Sequence, residues 1–348
     1  MQLPGPVRLV VVRIDLSEVE VEAVTATGAP TGYATLREVA SRERAVLAVN
    51  GDLAAANGPA HLLIGNGRLF TSGLAAGGAL AFAPDGARAV ALGDHPSFVA
   101  RRTDTGARVR IARWNAGTAP GRGLMAFTDN RRMLGSPRGS CSARLHPTGA
   151  GNGLARFRVV WAGCGPSPAP ADDVAFDTLL RAARLGPAGR WLSGLEPGTR
   201  ISVRLQARLP AVGEAFGGFP TLVHAGRVLP QRCGPLTCAL HPRTAVGVTR
   251  GCMDRALLTR CQMLMVAVDG RRLGWSVGIT TMRLAHVMTE LGASEAINLD
   301  GGASTQVLFR GRSLNRVAPG ARRAVVSALI VRRRVPAPPI PTWLGKLP

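Results

Sequence analysis

No apolar run in this sequence outlasts a β-strand. Leu9–Val12 and Met263–Val268 are typical, and both fall far short of the roughly 20 residues that cross a bilayer. Glycine and proline, 43 and 25 of the 348 residues, punctuate the chain between such runs. A chain written this way makes many short strands joined by turns. It predicts an α+β fold: mixed, largely antiparallel β-sheets with a few covering helices. A hydrophobic share of 46% excludes a disordered chain.

The helices and hairpins announce themselves locally. Thr35-Leu36-Arg37-Glu38 is a capping box. Thr280 or Thr281 opens a helix whose Leu284, Ala285, Val287, Met288 and Leu291 share a face, stopped by Gly292. A third helix is expected over Asp172–Arg184, with aspartates at its positive end. Leu62–Ile64 with Arg68–Phe70, and Ala79–Phe82 with Ala87–Leu92, read as hairpins. The helix near 281–291 joins two strand candidates, the pattern of one parallel crossover within a mixed sheet. The middle, residues 95–210, is a β-rich segment and a candidate subdomain. Pro336–Pro341 lies in a proline-rich tail, 335–348.

The formal net charge is +22, and Lys346 is the only lysine. Arginine suits phosphate, because its planar fork donates two parallel hydrogen bonds. The doublets Arg101–Arg102, Arg131–Arg132, Arg271–Arg272 and Arg322–Arg323 are scattered, however, and only 4% of residues are aromatic. Both features argue against a dedicated nucleic-acid surface. An anionic partner other than nucleic acid fits better.

Six cysteines form an even set. Cys233/Cys238 and Cys252/Cys261 are close pairs, leaving Cys141 and Cys164. Three short-range disulfides in an oxidising compartment are the simplest scheme. The alternative is zinc, held by Cys233, Cys238 and His241 with a fourth ligand from Cys252 or Cys261. No leader is visible after Met1, so a secreted or cell-envelope protein whose leader has been removed is expected.

Acidic residues are scarce, which narrows the search for chemistry. Asp52, Asp269 and Asp300 each follow a predicted strand and each neighbours glycine. Asp-Gly is a common turn pair, yet it also leaves a carboxylate and free N–H groups open to a ligand. Asn50 and Asn298 stand two positions before Asp52 and Asp300, so each pair shares a strand face. Clustered aspartates permit a divalent cation without requiring one. No cofactor is implied, and no motif for another hydrolase class or a P-loop occurs.

Here a resemblance enters. Asn298-Leu299-Asp300-Gly301-Gly302-Ala303-Ser304-Thr305 resembles the NLDGGGST signature of the phosphodiester glycosidase (uncovering-enzyme) family. Asn50-Gly51-Asp52, Gly217-Gly218-Phe219-Pro220, Arg243-Thr244-Ala245, Asp269-Gly270-Arg271, the Gly278–Leu291 helix and Asn315 resemble its other segments, in order. Arg322 or Arg323 stands where the family has an arginine before its last strand. The similarity spans about residues 7–332 and implies one such domain over 1–334. Leu53-Ala54, His61, Ala303 and Arg283 depart from the family pattern.

The resemblance implies hydrolysis of a sugar-1-phosphodiester, such as an N-acetylglucosamine-1-phosphodiester, at the anomeric C–O bond. A phosphate leaving group needs its charge held more than it needs a proton. Arg243 is the first choice for that, helped by Arg271 or Arg323. Asp300, Asp52 and then Asp269 are the candidate nucleophile or base. Asn50, Thr244, Asn298, Gly301, Gly302, Ser304, Thr305 and Asn315 are expected to contact substrate, an anionic glycan or glycolipid. The alternative is a catalytically inactive module that binds phosphoglycans or other polyanions at a cell surface.

Overall fold

The computed structural model describes residues 5–55, 58–73, 77–83, 89–92, 97–116, 123–128, 139–151, 154–165, 178–206, 211–252, 261–318 and 324–334. The fold is α+β and dominated by antiparallel sheets, as expected. A six-stranded sheet runs Leu9–Asp15, Gln262–Val268, Arg243–Thr249, Ala293–Asn298, Thr221–His224 and Arg227–Val228. A five-stranded sheet is centred on Glu214–Gly218, and another contains Val19–Thr25, Ser327–Arg333 and Leu47–Asn50. Ile14, Val49, Phe216, Val246, Met265, Ile297 and Leu329 pack together where the three sheets face one another.

Between the two halves of this assembly in sequence, the described strands from Ser97–Arg102 to Arg200–Gln206 form a closed barrel. Phe98, Ile111, Leu124, Leu145, Leu180 and Ile201 belong to its core. Cys141 and Cys164 sit opposite each other on its longest hairpin and are bonded. The other disulfides are Cys233–Cys238 and Cys252–Cys261. The thiolates that the zinc alternative needs are therefore consumed, and the simple pairing scheme holds.

Among the described residues three α-helices cover the sheets. Helix α1 (Leu36–Arg42) starts at the Thr35/Glu38 capping box. Helix α2 (Pro187–Ser193) packs on the barrel through Ala188 and Leu192. Helix α3 (Thr281–Glu290) is capped by Thr280 and buries Leu284, Ala285 and Met288. Gly292 follows its end with φ 91°, the left-handed turn that glycine allows. The strands on either side of α3, Gln262–Val268 and Ala293–Asn298, both run antiparallel to Arg243–Thr249. They are therefore parallel to each other, with one strand between them. The predicted crossover exists, and it steps over a neighbour.

The helix expected over 172–184 is corrected. Thr178–Ala183 is a strand, paired on one edge with Leu124–Phe127 and on the other with Ser140–Gly151. Leu180 and Ala182 face the barrel core, while Leu179 packs with Met125 and Phe127 outside it. Pairing on both edges imposes a period of two and overrides the helical preference of the local sequence. Residues 172–177, Arg322, Arg323 and the tail 335–348 lie outside the described residues. No described helix is long and apolar enough to cross a membrane.

Candidate active site

The 298–305 turn sits where the sheets meet. Asn298 closes its strand, and the chain then crosses to the Leu47–Asn50 strand of another sheet. Asp300 N donates to Gly51 O at 2.9 Å, and Leu299 N donates to Thr244 O at 2.8 Å. Gly302 N reaches Pro242 O at 2.8 Å. Each glycine has its own reason. A Cβ on Gly301 would stand 2.7 Å from Pro242 O, so no side chain fits. Gly302 has φ 62°. Ala303 is not in the left-handed region, so its departure from the family pattern needs no special backbone.

Asn50 is fully buried and locks the turn. Its Nδ2 donates to Asp300 O at 2.6 Å, while its Oδ1 accepts from Thr244 Oγ1 at 2.8 Å and from Gln306 N at 3.1 Å. Asn298 Nδ2 donates to Phe219 O and Leu299 O, both at 2.8 Å. Asn298 Oδ1, Ser304 Oγ and Thr305 Oγ1 are buried without a hydrogen-bond partner. Three such atoms on one turn are costly unless water or a ligand meets them.

The three aspartates differ sharply. Asp300 is half-buried, and its Oδ1 accepts from Gly301 N at 2.9 Å. Asp52 is buried and engaged: Oδ2 accepts from His61 N at 2.6 Å, and Oδ1 accepts from Leu53 N and meets His61 Nδ1, both at 2.7 Å. Its neighbour Gly51 packs against Ser327, whose Oγ accepts from Asp52 N. Asp269 is also buried. It accepts from Trp275 Nε1 at 2.8 Å, Asn315 Nδ2 at 3.2 Å and Arg316 N at 3.1 Å. Arg8 and Arg316 stack their guanidinium groups on Trp275, each 3.9 Å from the ring centre. Asn315 continues the brace by donating to Thr305 O.

The arginines differ as well. Arg243 is buried, and its guanidinium donates to Ile279 O at 3.1 Å, Leu236 O at 2.6 Å and Ala239 O at 2.9 Å. Burial, and then the charge of Arg271, bring its pKa down to about 10. Arg271 is exposed and lies over Gly302: a Cβ there would be 3.2 Å from Arg271 Nη2. Among the described residues neither guanidinium makes an ion pair. The turn thus gathers one half-open carboxylate, two cations and unsatisfied polar atoms. Arg323 lies outside the described residues. His241 and His61, which meet Arg271 and Asp52, were absent from the residues expected to act. His61 had a sequence signal in its departure from the family pattern, and His241 only as a ligand of the zinc alternative.

Among the described residues no group of three or more His, Cys, Asp or Glu side chains is arranged to hold a metal ion. A cavity of about 450 Å³ lies elsewhere, lined by Glu20, Glu22, Glu214 and Arg332. It is reached at the opposite end of the Glu214–Gly218 strand from this turn.

Comparisons with known proteins point the same way. The SPbeta prophage-derived protein YomE of Bacillus subtilis is 35% identical over 91 residues, 26% of this chain and 13% of YomE. A protein of solved structure from Synechocystis superposes with a TM-score of 0.69 at 21% identity. That match covers 95% of this chain and 60% of the Synechocystis chain. A Burkholderia pseudomallei protein gives 0.63 at 21% identity, covering 94% and 74%. This chain therefore spans less than two thirds of YomE and of the Synechocystis protein, and the two structures speak for the fold. The family model for phosphodiester glycosidases matches residues 180–332. That stretch holds the Arg243 strand, the α3 crossover and the whole 298–305 turn, and over it the chain is similar to the phosphodiester glycosidase family.

Proposed function

We propose that this protein hydrolyses a sugar-1-phosphodiester, of the N-acetylglucosamine-1-phosphodiester kind, at the anomeric C–O bond. The observation that carries the reading is the setting of Asp300. It is the half-open carboxylate of the three, fixed beside Asn50 and Gly51, with the Arg271 guanidinium two residues along the same turn over Gly302. Asp300 acts as the nucleophile or as the base for water. Arg271 holds the phosphate as the C–O bond breaks and charge collects on the departing oxygen. Arg243, its N–H groups committed to carbonyls, adds positive charge from behind. Water supplies the hydroxyl to the sugar, and its proton leaves through Asp300. The products are free sugar and a phosphomonoester. Asn298, Ser304 and Thr305 meet sugar hydroxyls through their unpartnered oxygens, and Asn50, Thr244, Gly301 and Asn315 hold the turn in register. Asp52 and Asp269 support the site through His61 and Trp275.

The substrate is proposed to be an anionic glycan or glycolipid, drawn in by the net charge of +22. Three disulfides are consistent with an extracytoplasmic protein, and we place it in the secreted or cell-envelope class. Residues 1–334 are proposed as one domain carrying the barrel as a subdomain. A second reading, a phosphoglycan-binding module without catalysis, draws on the locking of Asp52 by His61.

The test is release of free sugar from a panel of sugar-1-phosphodiesters, UDP-N-acetylglucosamine included. Turnover by the wild type that falls at least about 10³-fold in Asp300→Asn, with unchanged thermal unfolding, supports hydrolysis. Binding without turnover across the panel overturns it in favour of the second reading.

A further inference from the structure

His241 precedes the Arg243–Thr249 strand and is anchored through its main chain: Ile279 N donates to His241 O at 3.0 Å. The imidazole has a backbone hydrogen bond at Leu240 and also reaches Arg271. Its Nδ1 lies 3.4 Å from Arg271 Nε and 3.3 Å from Arg271 Nη2. A guanidinium only donates, so Nδ1 must accept and the ring must be neutral. Arg271 itself has φ 57°, and its guanidinium rests on the bare Cα of Gly302. The arginine is thus held on one side by a ring nitrogen and on another by the signature turn. The disulfide between Cys233 and Cys238 leaves His241 without the thiolate partners of a metal site.

We infer that His241 is a positioning residue, whose neutral imidazole aims the Arg271 guanidinium at the phosphodiester group of the substrate. This rests on the reading of Arg271 as the phosphate-holding group. The charged groups acting on His241 are Arg271 and Arg243; Ile279 and Gly278 face it with backbone. Burial first, then those two cations, keep its pKa below the usual 6.5. Protonation at acid pH removes the acceptor and sets a third positive charge against Arg271, which then swings away.

The test uses dimethyl phosphate, which stays a monoanion from pH 5 to 8, as a binding probe, alongside hydrolysis kinetics. His241→Ala is expected to weaken dimethyl phosphate binding about 5-fold at pH 7.5 and to raise KM similarly, with kcat within about 2-fold. His241→Asn, whose Oδ1 stands near the place of Nδ1, is expected to restore most of the loss. Wild-type binding should weaken between pH 7 and pH 5, while that of His241→Asn should not. Equal binding by wild type and His241→Ala overturns the inference. So do equal losses in the Ala and Asn variants, parallel pH profiles, or no wild-type binding of the probe. If no substrate is hydrolysed but probe binding follows the expected pattern, the hydrolase reading fails and the role of His241 stands.

Discussion

Asn50 reaches from the end of its strand to the backbone of Asp300, in the turn that leaves another sheet, with Nδ2 2.6 Å from the carbonyl oxygen. Its Oδ1 simultaneously accepts from Thr244 and Gln306. One buried amide therefore sets the distance between the three segments that build the site. Asn50→Ala leaves the buried Thr244 hydroxyl and the Gln306 N–H without this acceptor and should cost roughly 2–4 kcal/mol in urea unfolding. Asn50→Asp should be worse for activity than for shape, because an acceptor then faces the Asp300 carbonyl. Wild-type activity in Asn50→Asp sinks this account.

Gly302→Ala tests the turn beneath Arg271. Its φ of 62° is disfavoured for alanine, at about 1–2 kcal/mol. The new methyl would also press on Arg271 Nη2 at 3.2 Å. Because that contact is the far end of a flexible side chain, the arginine yields rather than the fold. We expect thermal unfolding to drop by a few degrees and KM for a phosphodiester to rise several-fold. An unchanged KM means that Arg271 does not hold the substrate from this position.

Glu214 makes the fold sensitive to alkaline pH. Burial pushes its pKa up from 4.5 to about 8, against the opposing donation from Ala23 N and Asn66 N. The folded chain therefore binds a proton that the unfolded chain has already lost between pH 4.5 and 8. This contribution is complete below pH 4.5 and disappears as pH rises through about 8. Stability should fall by about 1–3 kcal/mol from pH 5 to pH 8.5 on this account. The slope should flatten in Glu214→Gln, even though the amide starts from a lower baseline. Denaturation at five or six pH values decides it; equal slopes in both proteins refute the assignment.

The Cys141–Cys164 bond joins positions 23 residues apart on the barrel hairpin. Replacing both with alanine should cost ~3 kcal/mol, chiefly by loosening the unfolded chain. The barrel lies apart from the 298–305 turn in sequence, and its core continues into Ile64, Ala81 and Ala215 of the five-stranded sheet rather than into that turn. Activity per folded molecule should therefore survive. Loss of activity with stability intact would show that the barrel shapes the site.

Much of this architecture is legible in the residues themselves. Thr35 with Glu38 and Thr280 mark helix starts through bonds made within one turn. Asn66-Gly67 turns a hairpin because both residues adopt positive φ. Asn298 to Thr305 carries the family resemblance together with the other segments in order, since its side chains and glycines serve one compact turn. Thr178–Ala183 is the counter-example: nothing local says strand, and only its two neighbours in the barrel make it one.

The division is one of range. Local order came from the chain alone: strand-sized apolar runs, caps, turns, cysteine pairs and the glycine-rich signature all depend on neighbours a few positions away. The tertiary structure alone decided which charges are available. Asp52 and Asp269 are occupied by His61, Trp275 and Asn315, and Arg243 is tied to three carbonyls. Asp300 stays half-exposed and Arg271 exposed. A carboxylate or guanidinium looks the same in a sequence whether its hydrogen bonds are filled or open, because many of its partners arrive from distant segments.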